Sequence, residues 1–171
     1  MSSALPHPAA MPTEELLRQC DIAFERRSGP GGQHRNKVST AVVIEHRPTG
    51  VRAEANERRS QSENRTVAAF RLRIRLAIEV RTPRNADDAP SPLWQSRCRG
   101  GRIEINETHE DFPAILAESL DALHVAGLDP KTASQFLDCT ASQLLKLLKK
   151  EPQAWARFQQ ERERLGLTKL L

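Results

Sequence analysis

The sequence predicts an α+β fold: a small antiparallel sheet with a packed long helix and an exposed GGQ loop, followed by a C-terminal helical bundle. Three observations carry that reading. Short β-rich runs of alternating polarity fill the first third of the chain, at "DIAF" (21–24), "TAVVIEHR" (40–47) and "VRAEA" (51–55). From Ser60 the apolar residues change period, with Val67, Phe70, Ile74 and Ile78 recurring at three and four residues. After Phe112 the chain is helical in pattern almost throughout, as "FPAILAESLDALHVAG", "KTASQFLDCTASQLLKLLKK" and "EPQAWARFQQERERLGL".

The elements follow in order. Residues 1–12, "MSSALPHPAAMP", contain no Lys or Arg and no long apolar run, so they are expected to form a disordered tail and argue against secretory or mitochondrial targeting. Thr13 is placed to cap a short helix over 13–19, whose first-turn Glu14 and Glu15 suit the helix dipole. Between the second and third β-runs, "PTG" (48–50) reverses the chain. The helix that starts after Ser60 should run about 20 residues and carry Arg71, Arg73, Arg75 and Arg81 on its outer face. "TPRNADDAPSP" (82–92) has no apolar period and marks a boundary, and "GGRIEIN" (100–106) offers one more strand. The expected organisation is therefore a tail (1–12), a domain bearing the GGQ loop (13–84), a linker with a possible strand (85–111) and a helical module (112–171). Within that module "TASQFLDCTASQLLKLLKK" reads as helix, turn and helix, a pattern of low specificity that suits rRNA, tRNA or a protein partner as well as DNA.

Composition narrows the chemistry. Residues 21–84 hold 14 Lys/Arg against 7 Asp/Glu, residues 85–140 hold 4 against 10, and residues 141–171 hold 7 against 3. A polyanion partner for the first block accounts for this, as does a solvated basic face with no ligand. Cys20, Cys98 and Cys139 are odd in number and lack CxxC spacing, which points to a reduced compartment rather than a disulfide framework. Five histidines show no ligand pairing, so no metal is expected. No run of about 18 apolar residues exists to form a membrane helix.

The loop "RRSGPGGQHRNK" (26–37) concentrates the chemistry. Gly29, Gly31 and Gly32 let the backbone approach a ligand, and Pro30 fixes one dihedral among them, so Gln33 is displayed at a tip. Arg26, Arg27, Arg35 and Lys37 form a collar suited to phosphates, and Asn36 can bond a sugar or base. Glutamine is neither acid, base nor nucleophile, and His34 is the only nearby base, so a reaction here needs a substrate that is already activated. Water attacking an ester fits, with a backbone N–H stabilising the oxyanion. The plain alternative is a flexible glycine hairpin without chemistry.

The wider context favours chemistry. From about Cys20 to Arg81, the linked segments "SGPGGQHRNK", "HRPTG" and "ERRSQSENR" resemble the catalytic domain of class I peptide chain release factors and of the codon-independent ribosome rescue factors related to them. The resemblance implies that Gly31, Gly32 and Gln33 are the catalytic tripeptide, with the Gln33 backbone amide and side chain coordinating water and leaving group. It implies RNA-binding roles for Arg26, Arg27, Arg35, Asn36, Lys37, Arg58, Arg59 and Arg65. The implied partners are the ribosome, at the peptidyl transferase centre and rRNA of its large subunit, and peptidyl-tRNA. No cofactor is implied beyond methylation of the Gln33 side-chain amide, by a glutamine methyltransferase. Arg35 departs from the family, which usually has a small apolar residue such as valine there.

Codon-reading members carry further domains that read the stop codon and recruit a recycling GTPase, and this chain is expected to have neither. The expectation is a cytoplasmic, monomeric, codon-independent hydrolase of the peptidyl-tRNA ester on stalled ribosomes or large subunits. A non-enzymatic ribosome or RNA-binding protein that keeps the GGQ fold is the alternative. In the last helices, Lys146, Lys149, Lys150, Arg157, Arg162, Arg164 and Lys169 interleave with leucines, Trp155 and Phe158, as in a folded amphipathic module rather than a loose basic tail.

Overall fold

The structure, a computed structural model, describes residues 6–26 and 40–171. The three β-rich runs pair as expected into an antiparallel sheet of β1 (Cys20–Glu25), β2 (Ala41–His46) and β3 (Val51–Ala55), with β2 in the centre. Register sets which ends coincide. Glu25 faces Ala41 and Cys20 faces His46 across the first pair, while Val42 faces Ala55 and His46 faces Val51 across the second. Alternation places Val51, Ala53 and Ala55 inside and leaves Arg52 and Glu54 in solvent.

Helix α2 (Gln61–Glu79) begins where Ser60 Oγ accepts a bond from the Glu63 N–H at 3.4 Å, the cap that serine supplies well. Its buried Ala68, Leu72, Leu76 and Ala77 join Val42 and Ile44 of the sheet in the hydrophobic core. Helix α4 (Phe112–Val125) also packs on α2 and buries Phe112, Ile115, Leu116 and Leu123 completely. At roughly 1.5–3 kcal/mol for each large apolar side chain buried, these contacts hold α2 between sheet and helix.

The region after Arg84 contains more structure than a linker. Helix α3 (Pro92–Arg97) is capped by Ser91, and a two-stranded hairpin of β4 (Cys98–Arg99) and β5 (Arg102–Ile103) follows, so the strand read at 100–106 is short and has its partner just upstream. The helical pattern over 131–150 divides into α5 (Pro130–Phe136) and α6 (Ala141–Lys149), separated by a turn in which Asp138 takes a positive φ of 55°. Asp129 and Thr140 cap the two helices. The buried Trp94 donates from its indole N–H to the Leu137 carbonyl at 2.7 Å, tying α3 to that turn. Helix α7 (Pro152–Arg164) completes the chain.

Three expectations need correction. The supposed tail is packed over residues 7–11: Pro8–Ala10 form a 3-10 helix, His7 and Ala9 are buried, and His7 Nε2 donates to the Val80 carbonyl at 3.1 Å. Thr13 is the first residue of α1 (Thr13–Arg18) rather than its cap, which is Pro12 without a side-chain bond. Arg73 does not sit on an outer face. It is buried and donates to the carbonyls of Ala9 at 3.1 Å and Glu110 at 2.7 Å, so the N-terminal segment is bonded through α2 to the start of α4. The helices after Phe112 share one continuous core with the sheet and α2, from Val42 and Leu72 through Phe112 to Leu144 and Phe158.

Candidate functional site

The candidate catalytic residues Gly31, Gly32 and Gln33, with Arg27, Arg35, Asn36 and Lys37 of the proposed collar, lie outside the described residues. The structure supplies the frame on which they are mounted. Because Glu25 and Ala41 are cross-strand partners, the chain leaves the sheet and returns to it at one point, flanked by the exposed Arg26 and by Thr40. Val42 faces Ala55, so β3 ends at that same edge of the sheet. The turn that follows carries Arg58 and Arg59, and Arg65 begins the second turn of α2. Arg26, Arg58, Arg59 and Arg65 are all exposed.

One side chain that sequence reasoning passed over holds this end together. Asn64 is fully buried, and its Oδ1 accepts from the Arg58 N–H at 2.9 Å. Its Nδ2 donates to the carbonyls of Thr40 at 2.6 Å and Arg58 at 3.0 Å. A single neutral amide therefore fixes the return of the loop and the basic turn relative to each other. Left unbonded at such a site, these groups would each cost about 1–3 kcal/mol. The signal was present in "ERRSQSENR", where an asparagine sits inside the first helical turn, but only the fold shows that it faces inward.

The arginines of the same region divide into two sets. Arg58, Arg59 and Arg65 make no side-chain ion pair with a described residue, which leaves them open to a partner. Arg71 forms a two-pronged pair with Glu57, at 2.5 and 3.2 Å, and also donates to the Glu54 carbonyl at 2.9 Å. The bonds that Glu57 accepts, the first of them from its own backbone N–H, hold its carboxyl below the ordinary range. Arg75 pairs with Glu79, and Arg52 with Glu45. Arg71 and Arg75 tie α2 to β3 through the carbonyls of Glu54 and Arg52, the Arg52–Glu45 pair lies within the sheet, and the charge of all three arginines is largely compensated locally.

The second motif, "HRPTG", is at the other end of the hairpin. His46 is buried, with Nδ1 at 2.8 Å from Thr49 Oγ1 and Nε2 at 3.3 Å from Gln19 Oε1. Gly50, at φ 70°, donates its N–H to the His46 carbonyl at 2.8 Å and closes the turn. Arg47 bonds the carbonyls of Arg18 and Cys20 and the carboxylate of Asp21, at 2.6–2.8 Å. Burial first, and then Arg47, push the His46 pKa down. Since β2 separates it from the loop by about 17 Å at 3.4 Å per residue, His46 is a neutral structural residue and no base for the loop.

Among the described residues no group of His, Cys, Asp and Glu could hold a metal, and no helix is long and apolar enough to cross a membrane. The site can therefore be summarised as an insertion point for a glycine loop, fixed by one buried amide and ringed by uncompensated arginines.

Comparison with known proteins agrees with this construction. Residues 15–102 match the RF-1 domain. Peptide chain release factor 1 of Chlamydia pneumoniae is 40% identical over 141 residues, which cover 77% of this chain and 40% of that protein. Its counterpart from Leptospira biflexa serovar Patoc is 33% identical over 135 residues, 68% of this chain and 38% of the relative. The chloroplastic peptide chain release factor PrfB1 of Arabidopsis thaliana is 40% identical over 95 residues, 52% of this chain and 20% of its own. The chain thus spans at most two-fifths of the length of these relatives. With the matched domain covering half the chain, it belongs to the family of class I peptide chain release factors.

Proposed function

We propose that this protein hydrolyses the peptidyl-tRNA ester on the ribosome without reading a codon, releasing the nascent peptide from stalled ribosomes or large subunits. Water attacks the ester carbonyl carbon, the bond to the terminal ribose oxygen of the tRNA breaks, and the proton lost by the water ends on that oxygen. Gly31, Gly32 and Gln33 act at the ester, the Gln33 amide N–H and side chain positioning water and leaving group. Arg26, Arg27, Arg35, Asn36, Lys37, Arg58, Arg59 and Arg65 hold rRNA around them. Neither metal nor cofactor takes part. Gln33 is a candidate for side-chain methylation by a glutamine methyltransferase, and the protein works as a cytoplasmic monomer.

The observation that carries the reading is the bracing, at both ends of the sheet, of the strand to which the loop returns. "HRPTG" closes the β2–β3 hairpin, "ERRSQSENR" pins its open end through Asn64, and "SGPGGQHRNK" lies in sequence between β1 and the β2 strand so braced. Codon independence is supported by how the residues after Arg84 are used. Helices α3 to α7 share the core of the catalytic frame, and the last two, α6 and α7, lie in the net positive stretch 141–171, which suits an RNA surface better than a base-reading loop.

The test is release of labelled peptide from ribosomes that carry peptidyl-tRNA on a message lacking a stop codon. Wild type should release, and Gln33→Ala should lower the rate by about a hundredfold or more while ribosome binding persists. Release that survives Gln33→Ala would remove the assigned role of the loop. Release that appears only when a stop codon is supplied would overturn codon independence. Truncation after Arg84 is unsuitable as a control, because it would strip Phe112, Ile115 and Leu116 from the core shared with α2.

A further inference from the structure

Between residues 85 and 140, where acids outnumber bases, the β4–β5 hairpin is a basic exception. "CRGGR" turns through Gly100 and Gly101 at φ 58° and 76°, a conformation that glycine adopts freely, and sets Arg99 directly opposite Arg102. Both are exposed. Like charges facing each other across a hairpin repel, so the fold holds these two cations together against their own electrostatics. Little compensates them. The carboxylate paired with Arg102 is Glu104 at 3.7 Å, itself 69% exposed, and the Arg99 side chain bonds no described residue. Arg97, by contrast, is engaged by Asp111 at 2.6 Å.

The hairpin is also rigidly mounted. The Thr140 N–H donates to the Gly101 carbonyl at 3.2 Å, and the Ile103 N–H donates to Gln143 Oε1 at 3.4 Å. Lys150 Nζ donates to the Ile105 carbonyl. These bonds lay β5 along α6, so that Arg102 shares one depression with Gln143, Lys146 and Lys150, three cations and an amide against the single carboxylate of Glu104. Lys146 is exposed and bonds no described residue. The most exposed large apolar side chains, Phe24, Val125, Leu165, Leu167 and Leu171, belong to other parts of the chain, and at the patch the half-buried Ile103 and the buried Ile105 and Leu147 form a floor beneath the charged and amide groups. A patch of that kind suits a polyanion backbone better than a peptide or a lipid surface.

We propose that Arg99, Arg102 and Lys146 form a second anion-binding surface, which takes the sugar-phosphate backbone of structured RNA. Binding of phosphate there rests on the hairpin and α6 alone. Only the identity of the RNA, as ribosomal, depends on the function proposed above.

The test uses the full chain and a fluorescein-labelled RNA duplex of about 20 base pairs, followed by anisotropy over a series of KCl concentrations. A triple variant, Arg99→Ala with Arg102→Ala and Lys146→Ala, should weaken binding about tenfold and reduce the slope of log affinity against log salt by about two to three. Its thermal midpoint should stay the same or rise, since the repulsion between the two arginines is relieved. Arg58→Ala with Arg59→Ala, at the loop end, should add its own independent loss. An unchanged affinity and slope in the triple variant would overturn the proposal. So would equally tight binding of poly-glutamate with the same dependence on the three residues, which would indicate an acidic protein partner. Peptide release is measured separately with Gln33→Ala, so failure of the hydrolase reading leaves the RNA result standing.

Discussion

Two irregular segments are pinned to helices by opposite means. Residues 56–60 are tied to α2 by the neutral Asn64, which bonds both backbone groups of Arg58 and the carbonyl of Thr40. Residues 81–91 are tied to α4 by two carboxylates. Asp121 accepts from Arg81 at 3.1 Å and from the N–H and hydroxyl of Thr82. Glu118 accepts from Arg84 at 3.4 Å and from the N–H and hydroxyl of Ser91 at 2.8 and 2.5 Å. The charged clamp occupies its arginines, whereas the neutral one leaves Arg58 and Arg59 free in solvent. Net charge read from a sequence therefore overstates the charge a partner can meet, and the fold decides which cations remain available.

The charged clamp should be the costlier to break. Burial pushes the Arg81 pKa down and Asp121 pulls it back up, so the guanidinium keeps its charge in place with the help of that carboxylate. Asp121→Ala should cost about 3–5 kcal/mol in urea unfolding, while pairing it with Arg81→Met should recover much of the loss. A cost below about 1 kcal/mol would mean that Asp121 is a surface pair in effect, and the contrast with Asn64 would collapse. Asn64→Ala should cost about 2–3 kcal/mol by orphaning three backbone groups. It should also slow peptide release more than Asp121→Ala does at equal residual stability, because Thr40 and Arg58 flank the loop.

The two arginine sets sharpen the comparison at a smaller scale. Arg58→Ala with Arg59→Ala should weaken ribosome binding about tenfold and leave the unfolding midpoint unchanged. Arg71→Ala should do the reverse, costing up to about 1 kcal/mol of stability through its exposed pair with Glu57 and altering binding little. If Arg71 proves equally important for binding, the division into structural and available arginines fails.

Much of this was legible in the sequence because local rules and tertiary structure agree there. The alternation of "VRAEA" gives β3 to the residue, and Ser60 caps α2 at the position its pattern implies. Two of the linked motifs also fall at the end of the sheet from which the loop departs. What escaped were polar residues that the fold turns inward. Arg73 shares its helix and spacing with Arg71 and Arg75, and nothing local announces that α4 and the Pro8–Ala10 turn close over it. His7 and Ala9 lie in a segment whose composition suggests a tail, yet they pack against residues more than 60 positions away. The Gly100–Gly101 turn looked like part of a single strand, because its partner is only two residues long. Such features depend on distant partners, which periodicity cannot report.

The smallest expected effect is a dependence on pH, and it separates the two clamps because only one of them lies beside a titrating group. Asn64 does not ionise. His7 is buried with Nδ1 accepting from the Ala9 N–H at 3.0 Å, the arrangement of a neutral ring. Its pKa is lowered from 6.5, first by burial, with Asp121 opposing that shift and Arg81 adding to it. His46 is lowered from the same value by burial and by Arg47. In the unfolded chain both rings take up protons as the pH drops below about 6.5, while in the folded chain they resist. Their contribution to stability is thus complete above that pH and is lost as the pH falls from it toward the depressed folded values. Carboxylates such as Glu57, lowered from 4.5, act in a separate, more acidic window. Urea midpoints, read from the fluorescence of Trp94 and Trp155 between pH 8 and 5, should stay level and then decline. His7→Asn retains an acceptor for Ala9 and should flatten part of the decline, the remainder belonging to His46. Asp121→Asn removes the charge that supports protonation of His7 and should steepen the decline relative to wild type, whereas Asn64→Ala should leave its slope unchanged. Equal slopes in all of these variants would show that neither histidine is held neutral by the folded chain.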